Sequence, residues 1–215
     1  IVTGNTVIMK PAEPSAVCSA LLMEMFEEAG VPKGVLNFLP GHGSIIGQHL
    51  VDHKDVDLIA FTGSREVGLK IWEECGKTRP GQRELKKMVC EMGGKNAVIV
   101  DSDADLDETI VDTIYSAFGY QGQKCSACSR LIVMEENYDR VVERLIAAAA
   151  SLRVGHPEEP GIVVGPVVDE KAYKRILERI EHSKTEATLA YQAQDIPADA
   201  YFIPPTIFTA LKPDG

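Results

Sequence analysis

Cys125 stands in the run Gly122-Gln123-Lys124-Cys125-Ser126-Ala127-Cys128. A cysteine nucleophile needs thiolate character, which a nearby base, a cation or a helix N-terminus can supply. Gly122 permits close backbone approach and Lys124 adds positive charge, so the run suits a reactive thiol. The competing reading is a small buried core residue, the fate of most free cysteines. Cys125 and Cys128 also form a Cys-x-x-Cys pair, which allows a thioredoxin-like redox site or half of a zinc site. A structural zinc wants two further ligands at similarly close spacing. Cys75 and Cys90 are too scattered to supply them, so no metal is expected.

Glu91 precedes Met92-Gly93-Gly94-Lys95 at the end of an apolar run. A carboxylate there could act as a general base if burial raised its pKa; otherwise it is a solvated strand end, the usual place for a carboxylate. Phe61-Thr62-Gly63-Ser64-Arg65-Glu66-Val67-Gly68 reads as strand, glycine turn and helix start, where exposed amides favour an anionic or carbonyl group of a ligand. Gly41-x-Gly43-x-x-x-Gly47 repeats the arrangement one unit earlier, one residue longer than the usual Gly-x-Gly-x-x-Gly dinucleotide fingerprint. Lys10-Pro11-Ala12-Glu13, after a short strand, could offer a cation and a carboxylate to ribose hydroxyls, or simply cap the strand-to-helix turn.

These residues need elements to hold them, and apolar runs alternate with amphipathic stretches as in βα units. Thr6–Met9 predicts a strand. Pro14 then opens a helix with Val17, Leu21, Leu22, Met25, Phe26 and Ala29 on one face, closed by Gly30. Val35–Leu39 is the next strand, followed by a helix from about Ser44 to Val51. Val56–Phe61 is a third strand and Arg65–Cys75 a third helix. Thr78–Arg83 is a loop, with strands at Lys87–Glu91 and Asn96–Val100 on either side of Gly93-Gly94. The second half is helix-rich: one helix ends near Tyr120. Tyr138, Val141, Val142, Leu145, Ile146 and Ala149 form a 3.6-residue stripe, as do Tyr173, Ile176, Leu177 and Ile180, both expected in the core. Gly155–Pro166 and Gln192–Asp199 read as loops. The expected division is a first domain over 1–92 and a second over 93–215.

Composition removes whole classes of function. The 215 residues are 45% apolar and 25% charged, ordinary for an α/β protein. Lys plus Arg number 22 against 32 for Asp plus Glu, a net charge of −10, so neither nucleic acid nor an anionic membrane is an expected partner. No apolar run approaches the ~20 residues of a membrane helix. Five cysteines cannot all pair within one chain, and with the acidic, signal-free sequence they point to the reducing cytosol. The chain opens on Ile1 and stops at a turn signal, Lys212-Pro213-Asp214-Gly215, so it is expected to be part of a longer protein.

Together, Gly4-Asn5-Thr6-Val7-Ile8-Met9-Lys10-Pro11-Ala12-Glu13, Phe61-Thr62-Gly63-Ser64, Glu91-Met92-Gly93-Gly94-Lys95 and Gly122-Gln123-Lys124-Cys125 resemble, in order and spacing, the aldehyde dehydrogenase superfamily. Gly165-Pro166-Val167-Val168, Arg175-Ile176 and Tyr201-Phe202-Ile203-Pro204-Pro205-Thr206 agree. Lys124–Arg130, the Pro80-Gly81-Gln82 insertion and Glu91-Met92 look closest to the branch that oxidises L-glutamate γ-semialdehyde in proline catabolism.

The resemblance implies an α/β fold: the second half of a Rossmann-like NAD-binding domain, then part of an α/β catalytic domain. It implies Cys125 as nucleophile and Glu91 as general base. Lys10 and Glu13, with Pro11 between them, would hold the adenosine ribose of NAD. The Glu13 carboxylate would disfavour the 2′-phosphate of NADP. Gly63, Ser64 and Val67 would line the pyrophosphate and adenine side, with Gly41, Gly43 and Gly47 in the neighbouring turn and Met92 and Gly93 beside them. Lys124 and Ser126 would face a small-molecule aldehyde, Ser126 bonding its α-carboxylate. A homo-oligomer is implied for the full-length protein. The family's oxyanion-hole asparagine belongs to a stretch upstream of Ile1 and its ribose-gripping glutamate to one after Gly215, so the chain alone is expected to be inactive. The alternatives are a non-catalytic fragment or truncated paralogue of this family and a thiol redox protein using Cys125 and Cys128.

Overall fold

The computed structural model describes residues 1–211, so the turn expected at 212–215 lies outside the described residues. The chain forms two compact units, Ile1–Met92 and Gly93–Gly215.

The first unit is built from two parallel strand pairs, each closed by a crossover helix. Parallel strands cannot be joined by a tight hairpin, so a helix carries the chain back. Strand β1 (Val7–Met9) pairs with β2 (Leu36–Phe38) across α1 (Ala16–Glu28). A short π-helical turn, Gly43–Gly47, leads into α2 (Gln48–Asp52), replacing the single helix expected over 44–51. Strand β3 (Leu58–Gly63) pairs with β4 (Lys87–Met92) across α3 (Arg65–Cys75). Gly30, at φ +83°, ends α1: its amide reaches Glu27 O, and Val31 N reaches Phe26 O, the two bonds of a Schellman cap.

The apolar stripe of α1 is not buried. Val17 is 75% exposed and Met25 62% exposed, and no residue of the helix is buried. The β3–β4 pair shows the same one-sidedness. Its residues alternate between exposed and half-buried, with Ala60, Thr62, Val89 and Glu91 on the open face. The other face packs on α3. A Cβ at Gly68 would come within 2.7 Å of Cys90 Sγ and 2.8 Å of Met92 Sδ, so the helix approaches this closely only because Gly68 has no side chain.

The second unit carries the larger core. Strand β5 (Asn96–Val100) pairs in parallel with β6 (Cys128–Val133) across α4 (Leu106–Phe118), and α5 (Glu135–Ala150) follows. Val100, Leu106, Ile110, Val141 and Leu145 form one buried cluster, with Val98, Leu131 and Val133 against it. The buried row on α5 is Asn137, Val141, Leu145 and Ala149, while Tyr138, the expected first member of the stripe, lies beside that row and is 39% exposed. Asn137 belongs inside because its amide donates to Asp101 O (2.9 Å) and Ser102 O (3.1 Å), pairing carbonyls of the turn after β5. Helix α6 (Glu170–Glu186) then leads to an antiparallel pair, β7 (Thr188–Gln192) and β8 (Thr206–Thr209). Strands β6, β7 and β8 are additional to the elements expected from the sequence. Among the described residues no helix is long and apolar enough to cross a membrane.

Leu145 is a member of this buried cluster, so Leu145→Ala should lower the unfolding free energy by roughly 2–4 kcal/mol through lost transfer energy and a residual cavity. A urea titration showing an unmoved midpoint would place Leu145 outside the cooperative core.

Candidate active site

In the first unit, the residues expected at the cofactor gather at the C-terminal ends of parallel strands. Open α/β sheets bind ligands at that edge. Because Met9 is in register with Phe38, the chain leaving β1 and the chain leaving β2 emerge side by side. Lys10 bridges them: its ammonium donates to Pro11 O (2.6 Å) and Gly41 O (3.1 Å). An ammonium has three N–H donors, so one remains for a ligand. Gly47 closes the same corner, with Lys10 Cδ 3.9 Å from where its Cβ would stand. Gly43 begins the π-helical turn that Gly47 ends. Glu13 lies in a 3-10 turn, Glu13–Ser15, and its carboxylate meets His42 Nδ1 at 3.0 Å, both side chains exposed. His42 was not among the expected site residues; its partner is 29 positions away, beyond any local pattern.

The second group lies where β3 and β4 end. Thr62 is in register with Glu91 and Gly63 with Met92, which brings the expected pyrophosphate turn beside the expected base. Ser64 is the N-cap of α3: its Oγ accepts from Val67 N at 3.3 Å, and Ser64 O accepts from Gly68 N at 2.9 Å. Ser64 and Val67 thus satisfy one another, and the helix-start donors left over are the amides of Arg65 and Glu66. Glu91 is exposed. It falls on the open face of β4, opposite the face that packs on α3.

Cys125 belongs to the second unit, on the return from α4 to β6. The helix ends at Phe118, and Tyr120 (φ 51°), Gln121 (φ 57°) and Gly122 (φ +68°) follow in left-handed conformations. Such a conformation costs a bulky residue like Tyr120 and needs support from its surroundings. Gly122 fits because a Cβ there would come within 3.0 Å of Ala117 O. The support comes from two glutamines. The Gln121 amide, turned so that its oxygen accepts from Gly165 N at 2.8 Å, donates to Tyr120 O at 3.1 Å. Gln123 Oε1 accepts from Val168 N at 3.2 Å. Val167 N in turn donates to Tyr201 O at 2.9 Å. The Gly165–Val168 and Tyr201 landmarks of the sequence therefore brace the turn that carries Cys125.

Within that turn Lys124, Cys125 and Ser126 are exposed while Ala127 and Cys128 are buried. Ala127 N donates to Lys124 O at 3.1 Å, a β-turn that presents the Cys125 side chain outward. Cys128 N donates to Ser116 Oγ (3.1 Å), and Cys128 Sγ donates to Arg130 O (3.3 Å). Burial pushes the Cys128 thiol above the ordinary thiol range, and does the same to Cys75. With one thiol in solvent and the other buried, the Cys-x-x-Cys pair does not share a cleft, and the redox reading loses its geometry. His49 and His53 stand at His-x₃-His spacing, their ring centroids 5.6 Å apart. Among the described residues, however, no three potential ligands gather to hold a metal.

The aldehyde dehydrogenase family model matches residues 1–215. The chain is 48% identical over 208 residues to a 1-pyrroline-5-carboxylate dehydrogenase of Bacillus subtilis, covering 97% of this chain and 40% of that protein. It is 46% identical to the Geobacillus kaustophilus protein of the same name, covering 100% and 42%. Among solved structures, proline utilization A from Bdellovibrio bacteriovorus superposes with a TM-score of 0.97 at 50% identity, over 100% of this chain and 22% of that one. A 1-pyrroline-5-carboxylate dehydrogenase from Thermus with bound NAD superposes with a TM-score of 0.93 at 47% identity, over 98% and 40%. The chain thus spans about two-fifths of the length of the curated relatives it matches. Its strand pairs, its glycine turns and the turn bearing Cys125 lie within a match that runs from end to end, and the chain belongs to the aldehyde dehydrogenase family.

Proposed function

We propose that this chain supplies the nucleophile, the general base and much of the NAD cleft of an enzyme that oxidises L-glutamate γ-semialdehyde to its carboxylate. The observation that carries the proposal is the turn at Cys125: an exposed thiol on a braced, left-handed turn, three residues from a buried and inert one. The names of the relatives support the substrate, and the bound NAD of the Thermus structure supports the cofactor.

In this reading the Cys125 thiolate attacks the aldehyde carbon and forms a thiohemiacetal. Bound NAD would supply the acceptor for the hydride that this adduct must lose to become a thioester. Glu91 then deprotonates the water that hydrolyses the thioester and frees the thiol. Lys124 and Ser126, exposed on either side of Cys125, face the substrate, with the Ser126 hydroxyl on its α-carboxylate. Lys10 and Glu13 hold the adenosine ribose. The remaining ammonium donor of Lys10 and the exposed carboxylate of Glu13, with an oxygen beyond the one that meets His42, suit a pair of hydroxyls, and Glu13 opposes a 2′-phosphate. Pro11, Gly41, Gly43 and Gly47 shape that corner; Gly63, Ser64, Val67, Met92 and Gly93 line the rest of the cleft. The same reading includes a homo-oligomeric, cytosolic full-length protein, supported by the resemblance and by five cysteines that are all free thiols.

Iodoacetamide at neutral pH should label Cys125 of the full-length protein before any other cysteine. Cys75 and Cys128 are protected by burial; faster labelling of Cys18 or Cys90 in a peptide map would count against the assignment. Glu13→Gln should narrow the preference for NAD over NADP, and equal kcat/KM for both cofactors in the unmodified enzyme would remove Glu13 from the cofactor site.

Glu91→Gln separates the chemical steps. It should keep a burst of about one equivalent of NADH while the steady-state rate falls by roughly 10²–10⁴-fold. Cys125→Ala should lose both phases, since no thiohemiacetal can form. A slowed burst in Glu91→Gln would instead assign Glu91 to activation of the thiol.

A further inference from the structure

We infer that Asn96 is a positioning residue for Cys125, holding the turn on which the thiol is presented. Its side-chain amide uses both N–H donors on that turn: Nδ2 donates to Cys125 O at 2.8 Å and to Ala127 O at 3.1 Å. The inference rests on the reading of Cys125 as the nucleophile.

The backbone around Asn96 is arranged for this reach. Asn96 is the first residue of β5 and is in register with Cys128, but the next pair is Ala97 with Arg130. Ser129 is therefore an extra residue in β6, and a bulge of this kind re-aims the chain beside it. Ser129 Oγ donates to Asn96 O at 3.3 Å, and Arg130 Nη2 donates to Lys95 O at 2.8 Å, so the donor's own backbone is anchored. Gly94 leaves the path clear: a Cβ there would lie 2.8 Å from Asn96 Oδ1 and 3.3 Å from Cys125 O.

The consequence for the thiol follows from peptide geometry. A peptide unit is planar and trans, so fixing the Cys125 carbonyl fixes the plane of the Cys125–Ser126 peptide and turns the Ser126 N–H away from Asn96. The Ala127 N to Lys124 O bond closes the turn from the other side. Between these two restraints the Cα of Cys125 has little freedom left. Asn96 is itself exposed, and the strand pairing of β5 with β6 does not pass through its side chain. Its loss should therefore disturb the turn and leave the fold in place.

The test uses the full-length protein with Asn96→Ala and Asn96→Asp, the latter keeping the shape while removing the donor. Four quantities are read: the iodoacetamide rate at Cys125, kcat and KM for aldehyde oxidation, the Kd for NAD, and the melting temperature. Positioning predicts that alkylation rate and kcat both fall, by about tenfold or more, while KM and the NAD Kd stay within twofold and the protein melts within a few degrees of the unsubstituted enzyme. Unchanged alkylation and kcat in either variant would overturn the inference. So would failure of both variants to fold, which would make Asn96 a structural residue. If Cys125→Ala keeps its turnover, the nucleophile reading is what has failed, and Asn96 is then judged on the alkylation rate alone.

Discussion

Parallel strand pairing is the constraint on which everything else in this chain depends. Two parallel strands oblige the chain to leave one end of the pair and return at the other, through a helix. The chain does this three times, through α1, α3 and α4. Each crossover creates a departure loop at the end of the first strand and a return loop at the start of the second. The residues assigned to the cofactor sit at strand ends: Lys10 after β1, Gly41 and Gly43 after β2, Ser64 after β3. Cys125 sits on a return loop, immediately before β6. The division between a binding edge and a reactive turn thus follows from the direction of the chain.

Return loops have to reverse direction in few residues, and this one does so at a cost in backbone strain. Tyr120 and Gln121 adopt left-handed φ without being glycine. Strain of about 1–3 kcal/mol per residue persists only where neighbouring structure over-determines the conformation. Here Gln121 and Gln123 each spend their side chain on the 165–168 segment, and Asn96 spends its own on the turn itself. Three side-chain amides brace the approach to Cys125. Amides suit the task because each can donate and accept without bringing a charge near a thiol whose ionisation matters.

What could be read from the sequence follows the same division between local and non-local causes. Helix α3 was legible to the residue, because Ser64 caps it and Gly76 follows its last member, both local signals. Strand β5 was equally legible as a short β-branched run. Strand β6 begins Cys-Ser-Arg, with no alternation to mark it, and exists because β5 pairs with it. The stripe expected on α1 is exposed at Val17, Leu21, Leu22 and Met25, and no residue of that helix is buried in this chain; periodicity says which face seeks burial and not what buries it. The candidate site divides likewise. Cys125, Glu91, Lys10 and Glu13 are singled out by motifs in order along the chain. His42, Asn96, Gln121 and Gln123 act on partners 29 to 45 residues away, and no single-sequence pattern marks such pairs.

Cys125 and Cys128 show how much of reactivity is placement. They share one four-residue motif and one type of side chain, yet only three residues separate a thiol in solvent from one pushed above its ordinary pKa by burial. The switch is the start of β6. Once the ladder begins, Cys128 must turn inward, where Ser116 and the Arg130 carbonyl meet its polar atoms. One turn earlier the backbone is held by the Ala127 N to Lys124 O bond and by the Asn96 side chain, outside the ladder, so Cys125 is free to face outward. A register slip that began the strand three residues sooner would bring Cys125 into the ladder and bury its thiol. The bulge at Ser129 absorbs an extra residue just after this point, letting the strand keep its pairing with β5 while the turn before it keeps its length.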